Sequence, residues 1–174
     1  MATVEAETGT SLWRIFTQKA ELVGAVVMRT ASQETAGTLL RETTGGFICT
    51  SSAAKRFPKL ARRASRKKAA DTPMAEVVAA GEFAVAETGS VAVNEPQLDR
   101  GKCFLAERLW VLVAEREILP TLDAGMQRMR DLVTKGAHHP LLMTGPSRTA
   151  DIERVLTIGV HGPRALCVVV VGDA

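Results

Sequence analysis

Two stretches, RLWVLVAE at residues 108–115 and ALCVVVV at 165–171, are apolar at consecutive positions and not merely at alternate ones. A strand points successive side chains to opposite faces, so a run that is apolar throughout must be covered on both faces of its sheet. The longer of the two unbroken runs has seven residues, far short of the ~20 that a bilayer crossing requires. Shorter runs of the same kind, GAVVMR at 24–29, FICTS at 47–51 and PLLMT at 140–144, read as further strands. Between them apolar residues recur at helical spacing. Leu12, Ile15, Phe16, Ala20 and Val23 follow Ser11, whose hydroxyl is placed to cap a helix, and Ala36, Leu39 and Leu40 follow Ser32 and end at Gly45-Gly46. Leu122, Met126, Met129 and Val133 follow Pro120, which is expected in a first helical turn. EVVAAG at 76–81 is expected to close a helix, EFAVAETGSVAVN at 82–94 to form two short strands broken at Thr88-Gly89, and IERVL at 152–156 to be helical. Strands alternating with amphipathic helices predict an α/β fold, a three-layer αβα sandwich with a mostly parallel sheet.

Length is consistent with one domain over residues 1–174, large enough to bury a substantial core. The three cysteines, Cys49, Cys103 and Cys167, are far apart and form no CxxC pair, which argues against a disulfide framework or a thiolate zinc site and for small apolar core residues. His138-His139 has no acid or thiol at a ligand spacing, so no metal is expected. The start, MATVEAETG, is acidic and has no apolar core, so the expectation is a soluble cytoplasmic protein without a membrane partner. Net charge is +3, yet eight of the 22 basic residues fall within 55–68, KRFPKLARRASRKK, where no acid occurs. A nucleic-acid protein interleaves such charge with aromatics, and here only Phe57 is available; the segment around 55–70 is therefore expected as an exposed, solvated face, and nucleic acid is disfavoured as a partner.

The chemistry concentrates in two loops at expected strand ends. TGPSRTADIE begins at Thr144 and supplies Gly145, Ser147, Arg148, Thr149 and Asp151; ETGS supplies Glu87, Thr88, Gly89 and Ser90. In open α/β sheets ligands bind beyond the carboxyl ends of strands, and a helix opening near Thr149 would offer free N–H groups to an anion. The two loops together predict a shared site for a small anionic ligand, although Gly, Pro and hydroxyl residues also make ordinary turns and caps. His161, followed by Gly162-Pro163, is expected to tie a turn, and His161 and Gly162 are counted with the two loops as candidate ligand-binding residues. Glu87, inside an otherwise apolar strand-turn-strand, is a candidate for capping or for catalysis.

AVAETGSVAV at 84–93 together with MTGPSRTADIERVLTIGVHGPRALCVVVV at 143–171 resembles the LUD family of lactate-utilisation proteins, of the LutC and YkgG type. The resemblance extends loosely from about residue 11 to the end and departs from the family pattern at Gly81-Glu-Phe83 and Ala106-Glu-Arg-Leu109. It implies a fold like that of NagB, RpiA and the CoA transferases. It also implies a bacterial system that oxidises L-lactate to pyruvate, in which the iron–sulfur clusters belong to partners, a cluster-bearing LUD protein and a cysteine-rich protein, and this chain binds no cofactor. Carried onto this sequence, the motif positions are Glu87 to Ser90, Thr144 to Asp151, Glu153, and Val160 to Pro163. Two functions stay open at this point: a non-cluster subunit of such a system, or a stand-alone enzyme of the CoA-transferase type with Glu87 as nucleophile or base on a carboxylate, phosphate or CoA substrate. Self-association is open as well.

Overall fold

The structure, a computed structural model, describes residues 11–64, 76–137, 139–149, 157–158 and 162–172. The helices are α1 (Leu12–Leu22), α2 (Gln33–Thr44), α3 (Ser51–Arg56), α4 (Pro58–Ala61), α5 (Gln97–Leu105) and α6 (Leu122–Thr134). The strands are β1 (Val26–Thr30), β2 (Ile48–Cys49), β3 (Glu76–Val85), β4 (Ser90–Val93), β5 (Arg108–Ala114), β6 (Ile118–Leu119), β7 (Leu141–Met143), β8 (Arg148–Thr149), β9 (Thr157–Ile158) and β10 (Ala165–Val171). The main sheet runs β1-β10-β5-β3-β4-β7, with β2 and β6 also paired to β3. Pairing is parallel except at β4, which runs against both β3 and β7. The consecutive-apolar runs occupy the centre: β10 and β5 are buried on both faces, in register from Ala165 opposite Arg108 to Val171 opposite Ala114.

Helices cover both faces, which makes the three-layer sandwich. Phe16 and Ala20 of α1 and Cys103 of α5 pack on one face against Val111, Val113, Val168 and Val170. On the other face Leu40 of α2, Ala53 of α3 and Leu60 of α4 pack against Trp110, Leu112, Val169 and Val171, while Met129 and Leu132 of α6 cover Phe83 and Val85 higher on the same face. α2 begins as expected, with a reciprocal Ser32–Thr35 capping box, and ends at a left-handed Gly45.

Several expectations are corrected. EVVAAG does not close a helix: it is the first half of one ten-residue strand, β3, whose register shifts between Gly81 and Phe83. That bulge moves the core-facing positions from Val77 and Ala79 to Ala84 and Ala86 on the same face, which breaks the alternation that would have identified the strand. Pro120 precedes the cap residue Thr121 and lies outside the first turn of α6. Ser11 stands at the cap position of α1, but its side chain accepts no cap hydrogen bond. No helix opens at Thr149, because Arg148–Thr149 pairs antiparallel with Thr157–Ile158; residues 152–156 lie outside the described residues. The basic stretch is not merely a solvated face, since Phe57 and Leu60 are fully buried and Arg56 and Lys59 pair with Glu82 and Glu34; residues 65–68 lie outside the described residues. No described helix is long and apolar enough to cross a membrane.

Candidate ligand site at a break in the sheet

The two hydroxyl-glycine loops do meet, but around a helix end. Gly89 and Gly145 have φ of 67° and 76°, and a Cβ on either would strike the α1 backbone, at Ala20 and at the Val23 carbonyl respectively. Each glycine thus lets its loop dock directly beneath the carboxyl end of α1. Beside them the hydroxyls form a chain, Thr88 Oγ1 to Ser90 Oγ at 2.7 Å and Ser90 Oγ to Thr144 Oγ1 at 2.7 Å, with Ser90 fully buried. Ser147 donates its backbone N–H to the Pro163 carbonyl at 3.1 Å, and Gly162 lets its chain approach the Ser147 side chain. The exposed Arg148 lays its guanidinium across Gly24, where a Cβ would otherwise be. Thr149 belongs to β8, and Asp151, Glu153, Val160 and His161 lie outside the described residues. Glu87 is exposed, and its Oε2 accepts the Leu122 N–H at 2.7 Å, holding the start of α6. The structure therefore brings Thr88, Gly89, Ser90, Thr144 and Gly145 together and gives them packing and hydrogen bonds of their own. Ser90→Ala should cost about 1 kcal/mol in urea denaturation, since Thr88 and Thr144 retain access to water when their shared partner is lost.

A larger opening lies elsewhere, at a break in the main sheet. β2 and β4 lie along the same edge of β3 but run in opposite directions: Cys49 faces Val78 from below and Val93 faces Gly81 from above. Their carboxyl ends point at one another, and the ladder is interrupted at Ala80. Both strands end there and the chain turns away on each side, which leaves a crevice. A cleft of about 750 Å³ opens there, between α3, the start of α5 and the residues that follow α6. Lys55, Arg56, Glu82, Glu95, Arg100 and His139 supply its charged and titratable lining.

Glu95 fills the gap in the ladder. Its Oε1 accepts the Thr50 hydroxyl at 2.8 Å and the Ala80 N–H at 3.2 Å, the donor that a continuous strand would have engaged. Its Oε2 is buried and has no hydrogen-bond partner among the described residues, although the residue as a whole is only 6% exposed. Burial pushes the Glu95 carboxyl above the ordinary carboxylate range and the nearby Asp99 charge adds to this, against the pull of the Thr50 and Ala80 donors and of the neighbouring Ser52 hydroxyl. Thr50 is held in place in turn, since its Oγ1 caps α3 by accepting the Ala53 N–H at 3.1 Å. Asp99 ties α5 to α3: it accepts the Ser51 N–H at 2.7 Å and the Ser51 hydroxyl, and pairs with Lys102. Burial opposes its charge, but Lys102 and the Ser51 donors prevail and hold Asp99 below the usual range. Arg56 is neutralised by Glu82 at 2.8 Å, whereas Lys55 and Arg100 have no ion-pair partner among the described residues. The arrangement suits a small anion.

None of Glu95, Thr50, Lys55, Arg100 or His139 was a sequence candidate for ligand binding. The available signal was Asn94-Glu95-Pro96, an acid placed one residue beyond the apolar strand SVAV and directly before a proline.

Residues 50–171 match the family model described as the LUD domain. Lactate utilization protein C of Geobacillus thermodenitrificans is 32% identical over 100 residues, covering 55% of this chain and 42% of that protein. The protein of the same name from Deinococcus radiodurans is 37% identical over 93 residues, covering 51% of this chain and 42% of its own length. The match to these curated relatives thus spans about two fifths of their length. A crystal structure of a DUF162 family protein from Deinococcus radiodurans shares the fold, with a TM-score of 0.64 at 19% identity over 92% of this chain and 96% of that one.

Proposed function

Because the chain belongs to the LUD domain family, we propose that it serves lactate utilisation as a ligand-binding component without a cluster of its own, alongside iron–sulfur proteins that carry electrons as L-lactate is oxidised to pyruvate. The observation that carries this reading is the likeness, over about 100 residues, to proteins named Lactate utilization protein C. Two features of the chain support the division of labour. Lactate oxidation releases two electrons, which need a redox carrier, and the cysteines here do not suit a cluster. Cys103 packs on one face of the sheet and Cys49 and Cys167 on the other, so they do not converge. Burial also pushes their thiols up to about 12, 12 and 11 for Cys49, Cys103 and Cys167, away from the thiolate that ligation requires. The cleft at Ala80, ringed by Lys55, Arg100 and His139, suits a small acid anion. A stand-alone transferase using Glu87 as nucleophile has less support, because that carboxylate is committed to the α6 N–H and does not line the cleft.

Deleting the gene in its host tests the proposal. Growth on L-lactate as sole carbon source and consumption of L-lactate are both expected to fail and to return on complementation. Undiminished lactate oxidation in the deletion strain would refute it.

A further inference from the structure

We propose that the cleft at the sheet break binds the oxyanion of a small carboxylic acid through a hydrogen bond donated by Glu95 Oε2, with Lys55 and Arg100 supplying the opposing charge. The ligand class rests on the lactate reading above; the site rests on the geometry. Glu95 Oε1 is occupied by two donors, Thr50 Oγ1 and the Ala80 N–H, and so is fixed as an acceptor whatever the charge of the group. A proton on this carboxyl therefore resides on Oε2, the oxygen that has no partner among the described residues. A buried O–H needs an acceptor, and an anion in the cleft provides one. Behind Glu95 is a recess of about 10 Å³ lined by Val93, Cys103, Phe104, Leu141 and Met143, room for one water-sized group. Glu95, Arg100 and His139 border both the recess and the cleft, so an acid with a short apolar end can place its carboxylate on the charged side and that end on the other. A phosphate ion has nothing to offer the recess.

The groups facing Glu95 settle how binding depends on pH. α3 brings Lys55 and Arg56, β3 brings Glu82, α5 brings Asp99, Arg100, Lys102 and Cys103, and the segment before β7 brings His139. Arg56 is committed to Glu82 and Lys102 to Asp99. As pH rises, ionised Glu95 loses its donor and repels the ligand, so affinity falls. Glu95→Gln removes this dependence: the amide stays neutral, keeps an oxygen for Thr50 and Ala80 and offers an N–H donor to the ligand.

The test is calorimetric titration of the full chain with L-lactate, pyruvate and, separately, inorganic phosphate, from about pH 5 to about pH 8. A carboxylate is expected to bind with affinity falling about tenfold or more across that range, and Glu95→Gln is expected to flatten the profile. Glu95→Ala is expected to bind about tenfold more weakly at the acidic end, and far-ultraviolet dichroism of each variant checks that it is folded. The inference is overturned if Glu95→Gln, shown to be folded, keeps the wild-type pH profile, if phosphate binds and neither carboxylate does, or if nothing binds. The gene deletion makes no use of Glu95: a strain that still oxidises lactate, beside a pure protein that binds carboxylate through Glu95, sinks the lactate reading and leaves this site in place.

Discussion

Gly89→Ala should lower the midpoint of thermal unfolding by about 10 °C, the result of a loss of about 3 kcal/mol or more for a chain of this size. Two costs combine. The residue has φ of 67°, a left-handed conformation that costs an L side chain roughly 1–3 kcal/mol. The new Cβ would also enter the space of the Lys19 carbonyl carbon and the Ala20 nitrogen and Cα, which are helix backbone and cannot rotate away. α1 must then lift from the turn, disturbing Phe16 and Ala20, both of which are fully buried. Gly45→Ala isolates the first cost, because Gly45 has φ of 71° and nothing within 4 Å of a Cβ, so it carries the backbone strain alone. Equal effects from the two substitutions, measured by differential scanning calorimetry, would show that the close approach to α1 contributes nothing.

The same glycine marks how far the sequence could be read. The two loops stood out for their turn formers and hydroxyls, and their meeting was legible in outline: Ser90 does bond Thr144. What they close upon was not, because the contact runs from residue 20 to residue 89 and from residue 23 to residue 145, and no local pattern records a helix end seated on a turn. The centre of the sheet was legible because β5 and β10 are apolar at nearly every position, a pattern that only a doubly covered strand explains. β3 was misread because its first half is rich in small residues with weak strand preference, Ala79-Ala80-Gly81, and because the bulge interrupts its alternation. Glu95 was missed for a related reason. After SVAV and Asn94 it looks like one more polar residue of a turn, and only the convergence of β2 and β4 on Ala80 turns that position into the buried plug of an interrupted ladder.

That plug predicts a stability effect of comparable size whose pH dependence identifies its cause. Glu95→Ala removes the acceptor of two donors in the buried region, the Thr50 hydroxyl and the Ala80 N–H, each worth about 1–3 kcal/mol when left unmatched, so about 3 kcal/mol should be lost at mildly acidic pH. Burial raises the folded-state pKa of Glu95 above its ordinary value of 4.5. A raised value means that the folded protein holds the proton more tightly than the unfolded chain does. The stability this contributes is fully present below the unfolded pKa and is lost as pH climbs through the folded one. Wild type should therefore weaken on going from acidic to alkaline conditions, and Glu95→Gln, which cannot ionise, should not. Asp99 has the opposite sign: its folded pKa lies below the ordinary value of 3.8, so its contribution is present above that value and fails only as pH drops through the folded one. Denaturant midpoints measured across pH thus separate the two carboxylates by the limb on which each acts. The cost of Glu95→Ala relative to wild type should shrink toward alkaline pH, where wild type itself buries a charge with one oxygen unpaired among the described residues. If that cost instead grows with pH, Glu95 is better accommodated ionised than neutral, and its Oε2 cannot be the donor that an anionic ligand meets.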